Sequence, residues 1–452
     1  MKSDKIYYCK KTNIVEVKTV KIKVLFSNFW GLPFPEEIKE NLSKLFPEVE
    51  FEYEILRTPN DALKAVENTK VDGLLLFVLS SIPGIVRPVL MSGLPTIVIN
   101  ETYGGSGEFL LEYSKALKEG MPVIAVSTRN MADEALLKKY VGYLVAIARL
   151  KESKILLITS KTTTTQATLE FPLSVDMHST IRDIQAIFKI QVELMPINEF
   201  KEKYYETVNE AKASELAEKW VKEAPKVVEH GPTDLLTAAK LYLALKAAIE
   251  STCANAVAFN CIPLFVTGEI DAWPCVPFLK LQEEGIPGVC EGDLYSAALM
   301  LLMKHLADKP GYINDPAVDD LKQEVVYYHC YSPINMYGYS NSRKLNYAIV
   351  PSHGNTKKQS VWAEYPVGEK ITVLGLSPAE RIITLHVAEI VGNEYGPHVC
   401  ATKVVAKVED TRRLAENWPP RSGWHRVIFL GDLREDVVNV ARLLGLKVVE
   451  PA

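Results

Sequence analysis

From residue 21 onward the chain alternates short apolar runs with amphipathic stretches, and that rhythm limits the possible folds more than any other feature. KIKVLFS, EFEYEIL, VDGLLLFVL, PTIVIN and PVIAVS have strand length. PEEIKENLSKLF, PNDALKAVEN, GEFLLEYSKALKEG and MADEALLKKYVGYLVAIARL carry apolar residues at helical spacing. Strands alternating with helices are satisfied by a parallel sheet wrapped on both faces. The pattern predicts an N-terminal Rossmann-like α/β domain over residues 1–150.

A second α/β domain of the same kind is expected over residues 151–325. It opens at KILLITS, runs through the helical TDLLTAAKLYLALKAAIE and the strand NAVAFNCIPLFV, and closes where GVCEGD leads into DLYSAALMLLMKHL. After ADKPGYINDPAVDDLKQ the texture changes to short β-like runs: EVVYYHC, NYAIV, QSVWAEY, KITVLGL, RIITLHVAEIV and CATKVVAKVE. Residues 326–452 are therefore expected to form a β-rich C-terminal domain, an antiparallel sheet or barrel, ending on a strand, helix and strand. The fold class is α/β with two parallel-sheet domains followed by a β-rich one.

With 51 basic and 56 acidic residues among 452, a formal charge of −5 and no long block of one sign, nucleic acid and anionic membrane are not expected partners. The opening residues lack the apolar core of a signal peptide, and no apolar run reaches the roughly 20 residues that cross a bilayer. A cytoplasmic location is expected. The seven cysteines include no C-x-x-C pair, which fits neither a zinc ribbon nor a secreted disulfide frame, and most are expected to be buried as small apolar groups.

Chemistry is sought where an apolar strand meets a helix, because open α/β sheets bind ligands beyond the carboxyl ends of their strands. Glu291 and Asp293 flank one glycine at such a junction in GVCEGDLYSA, and Glu269 follows another strand and glycine in CIPLFVTGEIDAWPC. Glu269 and Asp293 are placed to converge from two consecutive strands. Paired carboxylates are easiest to sustain around a hard divalent cation, with an imidazole as a further ligand. His425 in SGWHRVIFLGD is the first choice, with His329 and His398 as alternatives. The competing reading is of helix-start acids and a surface histidine.

The segments PCVPFLKLQEEGIPGVCEGDLYSAALMLLMKHLADKPGYINDP, VVYYHCYSP, GPHVCATKVVAKVED and GWHRVIFLGDLREDVVNVARLLG together resemble the L-fucose isomerase-like sugar isomerases, whose wider relatives include L-arabinose isomerases. The resemblance is strongest from about residue 250 to the end. It implies one divalent ion, Mn²⁺ first with Mg²⁺ or Co²⁺ as alternatives, held by Glu269, Asp293 and His425. Glu291 then supports the loop or the helix start, with the choice between Glu291 and Asp293 as second ligand left open. It also implies a small-molecule sugar substrate and a homo-oligomer, hexameric or trimeric, in which the N-terminal domain can complete a neighbour's site.

The expected reaction is aldose–ketose isomerisation of a pentose or 6-deoxyhexose through a cis-enediol. Glu269 and Asp293 would be ligands and proton shuttles, and the ion would act as Lewis acid. Trp273, His329 and Trp424 are substrate-contact candidates, each with a packing role as its alternative. The loop NETYGGSGEF, between a strand and a helix, is a weaker candidate for binding an anion or a sugar hydroxyl. Two other readings differ in kind: a non-catalytic sugar binder, and a glycoside hydrolase using Glu269 and Asp293 as its carboxylate pair.

Overall fold

The computed structural model describes residues 19–32, 36–160, 163–164, 175–231, 233–351, 358–396, 399–419 and 421–451. The chain divides into two compact units, one of residues 17–150 with 435–448, the other built mainly from 151–434.

In the first unit, β1 (Val20–Asn28), β2 (Val49–Leu56), β3 (Gly73–Ser80), β4 (Thr96–Glu101) and β5 (Val123–Thr128) form a parallel sheet in the order β2-β1-β3-β4-β5. Its central β3, GLLLFVLS, is buried at every residue, as expected of a strand covered on both faces. The edge strand β2, VEFEYEIL, instead turns its glutamates to solvent, which discourages pairing with another chain. Residues 435–448 join this unit: Asp436 accepts a 2.7 Å hydrogen bond from the Tyr143 hydroxyl, and Lys139 pairs with Glu435 at 2.8 Å.

The second unit begins with β6 (Lys154–Thr159), a two-residue ladder of β7 (Thr163–Thr164) and β8 (Val175–Asp176), and β9 (Gln191–Pro196). With β10 (Ala256–Phe259) and β11 (Gly288–Cys290), β6 and β9 make a second parallel sheet in the order β11-β10-β6-β9. The helix Leu294–Ala307 follows β11 and is buried throughout its first ten residues, so its apolar run LYSAALMLLM needs no polar face there.

The β-rich part holds β12 (Tyr312–Asp319), β13 (Glu324–His329), the separate hairpin of β14 (Asn346–Pro351) with β15 (Gln359–Glu364), then β16 (Lys370–Ser377), β17 (Ile382–Glu394), β18 (Thr402–Lys407) and β19 (Arg426–Leu430). Six of these run β16-β19-β12-β13-β18-β17, and the β16–β17 pairing closes the ring into an antiparallel barrel. Alternation along β13 is clean: Val325, Tyr327 and His329 are buried while Glu324, Val326 and Tyr328 are partly exposed. Tyr312, Tyr327 and Phe429 are wholly buried, and each contributes about 2 kcal/mol by leaving water.

Some polar groups in this core are paired, while the buried Asn314 Oδ1 and Thr384 Oγ1 have no hydrogen-bond partner among the described residues. The Tyr327 hydroxyl and His386 Nε2 are 2.6 Å apart, and burial pushes the His386 pKa down to about 3. The buried Arg426 guanidinium stacks 3.4 Å from the Trp418 ring centroid and donates to the carbonyl of His425 at 2.7 Å and to Ser422 Oγ at 2.9 Å. It thereby holds the turn that delivers His425. Cys261, Cys275, Cys290, Cys330 and Cys400 are buried free thiols, whereas Cys253 is disulfide-bonded, so one thiol leaves the set expected to pack as small apolar groups.

Candidate functional site

The turn after β11 is built around two residues in the left-handed region, Glu291 at φ 60° and Gly292 at φ 66°. A side chain at Gly292 would be strained by that φ and would also press on Asn260, with Cβ atoms 3.3 Å apart. Glu291 has no such exemption as a non-glycine residue, and its strain, of order 1 kcal/mol, accompanies a specific aim for its carboxylate. Its Oε1 lies 3.6 Å from His329 Nε2 and its Oε2 lies 3.6 Å from His425 Nε2.

Ligand-type atoms of Glu291, His329 and His425 all lie within 4.8 Å of one another, the one such group among the described residues. His329 ends β13 and His425 immediately precedes β19; β12 runs between those strands. Asp315 on β12 brings its Oδ1 to 3.5 Å from His425 Nε2. The site is a meeting of the β11 turn with three neighbouring barrel strands.

Asp293 stands behind this group. Its carboxylate is fully buried, accepts from the backbone of Tyr295 at 2.9 Å and of Ser296 at 3.1 Å, and takes the Ser296 hydroxyl at 2.6 Å. These bonds cap the helix Leu294–Ala307. The remaining capacity of Oδ2 goes to His425 Nδ1 at 3.0 Å. A carboxylate holding one ring nitrogen fixes the tautomer and turns the other nitrogen outward.

Electrostatics agree with a cation-binding role. Burial works to lower the His425 pKa, but Glu291, Asp293 and Asp315 outweigh it and raise it to about 10. The same contest raises His329, where burial is opposed chiefly by Glu291. Yet Trp424 Nε1 donates to His425 Nε2 at 3.1 Å, which requires a lone pair there rather than a proton. A cation beside neutral rings would satisfy the carboxylates and would take the Nε2 lone pair in place of the Trp424 N–H. Spacing fits as well, since ligands about 2.1 Å from one metal stand roughly 3–3.5 Å apart.

Of the two acids between which the choice of second ligand stood open, Glu291 faces both imidazoles, while Asp293 caps the helix and orients His425. Glu269 sits on the loop after the helix Cys261–Val266, where its Oε1 accepts from Thr267 Oγ1 at 2.9 Å, and it is not part of the gathered group. Trp273 is buried and packs edge-on against Phe265, with centroids 5.1 Å apart, while Trp424 is 40% exposed beside His425. His398 lies outside the described residues. Asp315 was not singled out from the sequence, although as many residues separate Glu291 from Asp315 as Glu269 from Asp293. The spacing applies equally to either pair, and only the fold distinguishes them.

No family model matches the chain. It is similar to the sulfoquinovose isomerase of Clostridium sp. (strain MSTE9), 24% identical over 224 residues and covering 46% of each chain. Sulfoquinovose isomerases of Priestia aryabhattai and Priestia megaterium are 31% identical over 88 residues, 19% of this chain and 20% of theirs. The matches thus span less than half the length of these relatives. Over those spans the chain is similar to sugar isomerases. An arabinose-binding protein structure from Geobacillus stearothermophilus aligns over 64% of this chain and 88% of its own at 12% identity, with a TM-score of 0.17, too low to bear on fold or function. No helix among the described residues is long and apolar enough to cross a membrane.

Proposed function

We propose that the protein is a divalent-metal-dependent aldose–ketose isomerase in which Glu291, Asp315, His329 and His425 hold the ion. The observation that carries this reading is Glu291, one carboxylate poised 3.6 Å from each of two imidazole nitrogens, too long for hydrogen bonds and right for a shared cation. Two carboxylates and two imidazoles suit Mn²⁺, with Mg²⁺ or Co²⁺ as alternatives. The similarity to sulfoquinovose isomerases supports the class of reaction.

A bound divalent ion supplies Lewis-acid stabilisation of charge that develops on the sugar's first two oxygens. The chain's own residues do the rest. Asp293 keeps the His425 Nδ1 proton and so aims Nε2 at the site. Asp315, whose side chain is 27% exposed against 1% for His425, takes the C2 proton on a carboxylate oxygen and returns it to C1 of the cis-enediol, while the Glu291 carboxylate carries the hydroxyl proton from O2 to O1. Trp424 offers a half-exposed ring against a sugar face. The proposed substrate is a pentose or 6-deoxyhexose, with sulfoquinovose added as the sugar named for the relatives. Self-association into a trimer or hexamer is part of the proposal and is measured by sedimentation.

The test is ketose formation from an aldose panel by chelator-treated protein, with and without Mn²⁺, alongside Glu291→Gln and His425→Ala. Manganese-dependent turnover that both substitutions abolish is expected. Sugar binding with no ketose from any member of the panel would overturn the proposal in favour of a non-catalytic sugar binder.

A further inference from the structure

The barrel wall carries a polar row that begins at the site. Antiparallel register sets Asp315 opposite Tyr328 and Tyr328 opposite Lys403, and residues directly opposite one another project from the same face of a sheet. The row therefore leads from the carboxylate beside His425 across β13 to Lys403 on β18. Two strand spacings place the backbones at its ends about 10 Å apart, the scale of a hexose plus the substituent on its last carbon. Tyr328 is partly exposed on that row.

Lys403 is the unusual member. The residue is 8% exposed, and its ammonium is held by the carbonyls of Gly396 at 3.0 Å and Cys400 at 2.9 Å. Among the described residues it has no carboxylate in ion-pair contact; Glu394, opposite it on β17, contributes only at longer range. An ammonium has three donors, and the two neutral carbonyls leave one without a partner among the described residues. A buried charge is costly to keep without an opposite charge. The half-exposed Tyr328 hydroxyl is a further donor on the same row.

We infer that Lys403, with Tyr328, reads a tetrahedral oxyanion carried on the substrate carbon farthest from the carbonyl, a sulfonate or a phosphate. The inference rests on the isomerase reading for which end of the sugar meets Asp315, and it adds the charge of the other end and the residue that selects it. Lys403 is then a specificity-determining residue.

The experiment compares kcat/KM of the full-length, Mn²⁺-loaded protein for three aldoses of matched configuration bearing a 6-sulfonate, a 6-phosphate or an unsubstituted 6-methyl group. The parent protein is expected to favour one anionic sugar over the neutral one, and which anion it favours separates sulfonate from phosphate. Lys403→Gln keeps N–H groups for the two carbonyls but removes the charge. It should cut the anionic-to-neutral ratio roughly 10- to 100-fold, mostly through KM. Lys403→Arg should restore much of it. An equal response to all three sugars, or equal losses for all three in the glutamine variant, would overturn the inference. If no sugar is turned over, calorimetric titration with the same three decides separately. Tighter binding of an anionic sugar that Lys403→Gln abolishes supports the anion site even though the isomerase reading has failed, and no preference in binding refutes it.

Discussion

Replacing Asp293 by Asn tests whether the second layer of the site sets the chemistry of the first. The carboxylate makes four bonds: to two backbone N–H groups and the hydroxyl at the start of its helix, and to His425 Nδ1 at 3.0 Å. Asparagine caps helices about as well as aspartate, so the helix start should survive. What the amide cannot do is offer acceptors to both the helix and the imidazole. With an –NH₂ toward the ring, His425 must either drop the bond or carry its proton on Nε2, the nitrogen that faces Glu291 and Asp315. Loss of such a partner lowers metal affinity about 10- to 100-fold, which is roughly 1.4–2.7 kcal/mol. Titration with Mn²⁺, following free ion by electron paramagnetic resonance, measures that shift, and circular dichroism melting checks that the fold is retained. Equal Mn²⁺ affinity in Asp293→Asn and the parent protein would refute the account of Asp293 as the group that sets the His425 tautomer.

Three further outcomes are expected. Asp315→Asn should lower kcat/KM by about 10²–10⁴ while Glu269→Gln stays within about tenfold, and the reverse order would return the site to the loop carrying Glu269. Because the three carboxylates raise His425 from 6.5 to about 10, its contribution to the stability of the metal-free protein is complete below about pH 6.5 and is lost as pH rises toward 10. A melting-temperature profile against His425→Gln reads this, and Mn²⁺ affinity should rise over the same interval because the ion displaces the ring proton. His386, pushed down to about 3, has the opposite sign: stability is present above about pH 6.5 and lost as pH falls toward 3, by at most about 1.4 kcal/mol per pH unit. His386→Gln should flatten that acid limb, and an unchanged denaturation profile would count against a neutral buried ring.

The two parallel sheets and the β-rich end are legible in the sequence because each depends on local periodicity. GLLLFVLS has the continuous apolar text of a strand buried on both faces, and EVVYYH alternates as a barrel strand should. The junction at CEGD is equally legible, as a place where acids gather between a strand and a helix. His425 was singled out in the sequence beside Glu269 and Asp293, and the geometry gathers it instead with Glu291 and His329. The roles of the two acids were not legible, since Glu291 and Asp293 are one glycine apart and equally acidic. Only the left-handed turn at residues 291 and 292 sends one carboxylate toward the imidazoles and the other down onto its own helix.

The same division separates Asp315 from Glu269. Each is an acid at the right remove from another acid, and counting along the chain treats them alike. Register is a property of the closed barrel: it places β12 between the strands that carry His329 and His425, so that Asp315 reaches the second of them. By itself the sequence determined which segments become strands and helices and which residue types are available for chemistry, because these depend on neighbours a few positions away. Which of those residues meet was decided by tertiary structure alone, because strand order and register bring together groups that are far apart along the chain.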